Sequence, residues 1–84
     1  MDNKIMNNII NYIKDKMNKT KDNWIIKFTY DEILSVINVI KSKNWSINKL
    51  IEYLIQEIDR CENNFTRKSA LQDIFTKCSV EMNK

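Results

Sequence analysis

The chain has 84 residues and a formal net charge of +3, and it contains no glycine, proline or histidine. This length fits a single domain, residues 1–84. Without glycine the chain cannot form a phosphate-binding loop or a dinucleotide fingerprint. Without histidine it lacks the commonest general base and metal ligand. We therefore expect no enzyme activity, no cofactor and no metal site.

The first predicted element is a helix over residues 4–17. Its apolar residues recur at helical spacing and share one face, with asparagine and lysine on the other side. They are Ile5, Ile9, Ile10, Ile13 and Met17. The polar stretch NKTKDN that follows indicates a connection.

Residues 23–28, with the sequence NWIIKF, are predicted to form a short strand. Trp24, Ile26 and Phe28 alternate with the other three residues, and this period of two is typical of a half-buried strand with those three residues toward the core. Because the chain offers no second strand, the backbone groups would have to pair with the same segment of a second copy. In the alternative interpretation, this segment is an extended or helical connector in an all-α four-helix bundle.

The next predicted helix covers residues 30–43. Thr29 and Glu32 have the spacing of a capping box, and Asn44 can adopt the left-handed conformation that ends a helix where glycine is absent. Six apolar residues within eight positions indicate that this helix is buried on most sides. They are Ile33, Leu34, Val36, Ile37, Val39 and Ile40.

Two further helices are predicted, over residues 46–61 and 66–82. Ser46 caps the first of them, and Phe65 is expected to pack at the start of the second. The residues expected to face inward are Ile47, Leu50, Ile51, Leu54, Ile55 and Ile58 in the first, and Ala70, Leu71, Ile74, Phe75 and Cys78 in the second. The fold class is therefore mainly α.

Residues 24–58 resemble the ribbon-helix-helix DNA-binding family of the small phage and methionine repressors. Thr29 stands where the family's strand ends at a capping residue, and Asn44-Trp45-Ser46 stands where the family has a Gly-x-Ser turn. The resemblance implies a homodimer that inserts a two-stranded ribbon into the DNA major groove as a transcriptional regulator. Helices 4–17 and 66–82 would flank this core.

The resemblance also implies a set of DNA-contacting residues. The base-facing residues would be Asn23, Ile25 and Lys27, and the phosphate contacts would come from Ser46, Asn48, Lys49, Lys19 and Lys21. Asparagine can pair with adenine and lysine with guanine. Against DNA binding, residues 23–60 carry five basic and five acidic side chains and are neutral overall, whereas a DNA-binding module usually has a clear basic patch.

The alternative function belongs to the all-α bundle: a small protein-binding module, such as an adaptor or inhibitor, with a single protein partner. Its interface anchors would be Tyr12, Tyr30, Trp45 and Tyr53, because tryptophan and tyrosine dominate interface hot spots. Asn, Ile and Lys make up 38 of the 84 residues. All three have A/T-rich codons, which would fit a gene of a low-GC bacterium, its phage or plasmid, a virus or a protozoan.

Cys61 and Cys78 lack the number and spacing of a zinc site. We expect both to be reduced and partly buried, although a disulfide could form if two helices brought them together. No segment has the pattern of a signal peptide, and none approaches the roughly 20 apolar residues needed to cross a membrane. We therefore expect a cytoplasmic protein.

Overall fold

The computed structural model describes residues 2–20 and 22–84, which form four helices joined by short connections. Helix α1 covers Asp2–Lys19, α2 covers Trp24–Ser42, α3 covers Ile47–Arg60 and α4 covers Phe65–Met82. No strand occurs in these two ranges. The mainly α fold class is therefore confirmed, in the form of the four-helix alternative. None of the four helices combines the length and the apolar composition of a transmembrane segment.

Helix α2 begins six residues earlier than predicted, because Asn23 caps it. The Asn23 side chain accepts hydrogen bonds from the backbone N–H groups of Ile25 and Ile26, at 3.1 and 3.2 Å. Thr29 is buried inside the helix and its hydroxyl donates to the carbonyl oxygen of Ile25, at 2.7 Å. Thr29 is therefore not a cap, and the strand predicted over residues 23–28 is wrong.

A helical stripe explains this difference. Ile26, Tyr30, Ile33, Ile37 and Ile40 follow one another at intervals of four or three residues and lie against the core, so the helical period extends back through the predicted strand. The helix also satisfies its backbone hydrogen bonds within one chain, whereas the strand needed a partner.

Short connections make successive helices antiparallel, as in an up-and-down bundle. Asn7, early in α1, lies beside Lys41, late in α2, with 3.4 Å between Oδ1 and Nζ. Helix α2 packs against the other three helices. The buried apolar residues form one core: Met6, Ile9, Ile13, Tyr30, Ile33, Ile37, Ile40, Ile47, Leu50, Leu54, Cys61, Ala70, Leu71, Ile74 and Cys78.

Five residues expected to be buried are instead exposed. They are Trp24, Phe28, Val39, Ile55 and Phe65. Trp24 and Phe28 were expected in the core under both the strand and the four-helix interpretation, but both lie on the solvent side of α2. Val39 and Ile55 lie beyond the edge of the apolar stripe of their helices, where no neighbouring helix covers them.

The turn predictions at Asn44 and Ser46 are confirmed. Asn44 has a φ of 56°, and the Ser46 hydroxyl oxygen accepts a hydrogen bond from the backbone N–H of Asn48 at 2.9 Å. The thiols of Cys61 and Cys78 are free and buried. Burial raises the pKa of the Cys78 thiol to about 12, so this thiol is a poor nucleophile at neutral pH.

Candidate functional site

Three aromatic side chains are exposed where α2 and α4 begin. Trp24, Phe28 and Phe65 expose 74%, 62% and 72% of their surface, and we call them the aromatic face. The starts of α2 and α4 are neighbours, since Trp24 of α2 and Arg67 of α4 line the same cleft. Large exposed aromatic residues grouped at one end of a small protein are typical of an interaction surface.

Helical geometry places these residues outside. Trp24 and Phe28 are one turn apart. Each is two positions from Ile26, which is partly buried against the core, and two positions correspond to a rotation of about 200° around the helix. Phe65 is the first residue of α4, so no earlier turn of its own helix covers the ring. The alternating pattern that suggested a strand therefore has a different result in a helix, where Trp24 and Phe28 lie on the side opposite the core.

The aromatic face borders two clefts between α2 and α4. Trp24 and Phe28 line a cleft of about 370 Å³ whose other lining residues include Glu32 and Arg67. Phe65 lines a second cleft, of about 570 Å³, together with residues from α1 and α2. A partner's side chains could enter these clefts while its surface covers the rings.

Arg67 links the elements that form the first cleft. Its guanidinium bonds to both Glu32 carboxylate oxygens, at 2.8 and 3.2 Å, and to Glu57 at 3.0 Å. The Tyr53 hydroxyl donates to Glu32 as well. Burial alone would raise the pKa of Glu32, but the hydrogen bonds from Arg67 and Tyr53 outweigh it and lower this pKa. The hydrogen bonds to these carboxylates raise the pKa of Arg67, so Arg67 and Glu32 stay ionised as a pair.

A second polar cluster ties α1 and α2 to α4. The hydroxyls of Tyr12 and Tyr30 donate to the two carboxylate oxygens of Asp73, at 2.7 and 2.9 Å. Burial, followed by this hydrogen bond, raises the pKa of Tyr12 to about 12. Both tyrosines therefore stay neutral and hydrogen-bonded over the physiological pH range.

The four predicted interface anchors differ in exposure. Tyr30 is only 4% exposed, and Tyr12 and Tyr53 are half-buried with hydroxyls that bond inward. Trp45 is 47% exposed. Tyr30 is therefore part of the core, and of these four residues Trp45 keeps the free surface that an anchor needs.

The residues predicted to contact DNA do not form one surface. Asn23, Ile25 and Lys27 are at the start of α2, whereas Ser46, Asn48 and Lys49 are at the start of α3, beside the end of α2. The sixteen residues of α2 from Lys27 to Ser42 span about 24 Å and separate the two groups.

Individual roles of these residues also differ from the prediction. Asn23 uses its side chain as a cap, Ile25 is half-buried, and Lys19 pairs with Asp15 at 3.0 Å. Lys21 lies outside the described residues. Within residues 2–20 and 22–84, no group of three or more histidine, cysteine or acidic side chains could hold a metal ion.

No protein-family model, curated protein or solved structure matches this chain. With no family match and a helix in place of the strand, the ribbon-helix-helix resemblance is wrong. Binding to double-stranded DNA stays a prediction, but the described residues contain no strand that could form the DNA-binding ribbon. The signal in the sequence for the aromatic face was the helical register of α2. If the apolar residues between 26 and 40 form one helical stripe, Trp24 and Phe28 lie on the opposite side of the helix.

Proposed function

We propose that the chain is a small all-α protein-binding module, an adaptor or inhibitor, that holds one partner protein on the aromatic face. The observation that supports this proposal most directly is the exposure of Trp24, Phe28 and Phe65 at one end of the bundle. Isolated exposed apolar residues are normal on proteins, but large aromatic residues grouped in this way need a cover.

The size of the aromatic face fits the centre of an interface. A covered aromatic side chain buries about 150–250 Å², so covering these three rings would remove roughly 400 Å² from water. A standard interface buries about 800 Å² on each partner, with hot spots near its centre and a polar rim. Lys27 and Asp31 are exposed on the same side of α2 and would belong to that rim.

Rigidity of the surface also supports the proposal. The Arg67 cluster connects α2, α3 and α4 directly beneath Trp24 and Phe28. Binding therefore needs little reordering of the backbone, and this reduces the entropy lost on association.

The test compares wild type with the double variant Trp24→Ala, Phe28→Ala. An affinity-tagged chain should recover one stoichiometric partner from cells of its source, and that partner, once purified, should bind the double variant at least about a hundredfold more weakly. Ile55→Ala removes an exposed apolar side chain on α3 and is the matched control. Equal binding by wild type and the double variant would refute the aromatic face as the site.

A second copy of the chain is a separate candidate for the partner. The predicted homodimer can be checked by light scattering on the purified chain across about a tenfold dilution. If a dimer forms and the double variant is a monomer of unchanged helicity, the aromatic face joins two copies. If wild type is a monomer at every concentration, the partner is a different protein.

A further inference from the structure

The net charge of the chain is concentrated at one end of the bundle. Residues 33–51 contain three lysines, Lys41, Lys43 and Lys49, and no acidic residue. The remaining residues carry eleven basic and eleven acidic side chains, so the whole +3 comes from this segment. It includes the end of α2, the turn and the start of α3, far from the aromatic face.

An apolar groove lies at this end of the bundle, and most of its lining comes from the basic segment. It has a volume of about 240 Å³ and is lined by Val36, Val39, Ile40, Trp45, Lys49 and Tyr53. We call it the α2–α3 groove. Val39 and Trp45 are both about half exposed, so apolar walls face solvent beside the positive charges.

Lysine ammonium groups flank the tryptophan in the groove. The Nζ atoms of Lys43 and Lys49 are 5.4 and 5.8 Å from the centroid of the Trp45 ring, within cation–π distance. Neither lysine forms an ion pair with a described acidic residue. Both charges are therefore available to a ligand at the rim of the groove.

The acidic groups near the groove compensate these charges only in part. Glu32 is one turn before Val36, but it is committed to Arg67 and Tyr53. Glu52 is exposed on α3, one turn after Lys49. The groove consequently combines an apolar floor with a positive rim.

We infer that the α2–α3 groove binds an acidic peptide segment of a partner protein, with an apolar side chain in the groove and carboxylates on Lys43 and Lys49. Charge complementarity selects this ligand. A single-stranded nucleic acid would instead need a free ring on which to stack a base, and here the two ammonium groups lie over the Trp45 ring. The inference does not depend on the aromatic face, because the groove and its lysines are at the other end of α2.

The test selects binders from a library of random short peptides displayed on phage. The target is the chain with Trp24→Ala and Phe28→Ala, which lacks two of the three rings of the aromatic face but keeps the α2–α3 groove. We expect enriched peptides that combine acidic residues with an apolar anchor. In fluorescence polarisation, Lys43→Glu with Lys49→Glu should weaken their binding about tenfold or more, since reversal replaces two attractive rim contacts by repulsive ones.

A matched control separates local contacts from net charge. Lys4→Glu with Lys14→Glu changes the total charge equally on α1, where both lysines are exposed, and should leave binding within about twofold. Trp45→Ala should also abolish enrichment while the far-ultraviolet circular dichroism spectrum stays helical. No enrichment, enrichment of non-acidic peptides, or equal losses in the two charge-reversal variants would overturn the inference. Binding of labelled oligothymidine that is lost only in the Lys43, Lys49 variant would assign the groove to nucleic acid instead.

Discussion

Two turn residues, Asn44 and Glu62, have positive φ angles of 56° and 44°. Asparagine tolerates this left-handed region, whereas most other residues that carry a Cβ pay roughly 1 kcal/mol or more to occupy it. Because the chain contains no glycine, the turn after α3 places a glutamate there. Glu62 is exposed, so its side chain gains little packing in return.

Replacing Glu62 with glycine should therefore stabilise the protein. We expect Glu62→Gly to raise the free energy of unfolding by about 0.5–1 kcal/mol, the relief of strain less the added entropy of glycine in the unfolded chain. Urea denaturation followed by circular dichroism measures this. Glu62→Ala removes the same carboxylate but keeps the Cβ, so it should give no such gain. If both variants are equally stable, the backbone at this turn is unstrained.

At the scale of the elements, Arg67 joins three helices through Glu32 and Glu57. Arg67→Met would leave the largely buried Glu32 carboxylate without its cation and Glu57 with only the exposed Arg60, and we expect it to lower the free energy of unfolding by about 3 kcal/mol. Arg67→Lys should lower the free energy of unfolding by a smaller amount, because lysine keeps the positive charge but its ammonium group cannot form the bidentate contact. Urea denaturation of the two variants and wild type measures both changes.

Arg60→Met is the control for this prediction. Arg60 also pairs with Glu57, at 3.2 Å, but its side chain is exposed, so its loss should change the free energy of unfolding by no more than about 0.5 kcal/mol. Comparable losses at positions 60 and 67 would show that the Arg67 cluster does not hold the helices together.

Sequence periodicity was sufficient for α1, α3 and α4, and it failed at the start of α2. These three helices have apolar stripes bounded by polar turns, and in each of them Ile or Leu residues at helical spacing lie in the core. Residues 23–28 fit both periods, because a stretch of six residues is too short to separate them. Thr29 added to the ambiguity, since a threonine that caps a helix and one that bonds back to the carbonyl four residues earlier look the same in sequence.

The candidate surfaces could be predicted from the sequence only where the start and the helical register of each helix were predicted correctly. Trp24 and Phe28 belong to residue types that favour the core, and their exposure follows only after α2 is known to begin at residue 24. The Arg67 cluster could not be predicted, because its partner Glu32 is 35 residues away and no local pattern connects them. Trp45 was proposed as an anchor because tryptophan and tyrosine dominate interface hot spots, and the same reason gave Tyr30, which is buried.

For the molecule as a whole, Glu81 closes the bundle by joining its first and last helices. Its buried carboxylate accepts hydrogen bonds from the Asn8 side chain of α1 at 2.8 Å, and from Lys77 and Lys84 at 2.7 and 2.9 Å. Hydrogen bonds from Lys77, then Lys84 and Asn8, lower the pKa of Glu81 to about 2. The folded protein therefore holds this carboxylate in its charged form well below the ordinary pKa of 4.5.

This shift predicts how stability depends on pH. A carboxylate with a lower pKa in the folded state stabilises the protein fully above its unfolded pKa, and that stabilisation is lost as the pH falls from about 4.5 to about 2. Glu32, whose pKa is also lowered, acts in the same direction. Urea denaturation at a series of pH values should show a decline in the free energy of unfolding across this window.

The variant Glu81→Gln tests the source of this decline, because the glutamine side chain cannot titrate. Its free energy of unfolding at neutral pH should be lower than that of wild type, and the decline toward low pH should be shallower. If the variant declines as steeply as wild type, the acid sensitivity arises at other carboxylates, and the contact between α1 and α4 does not depend on the charge of Glu81.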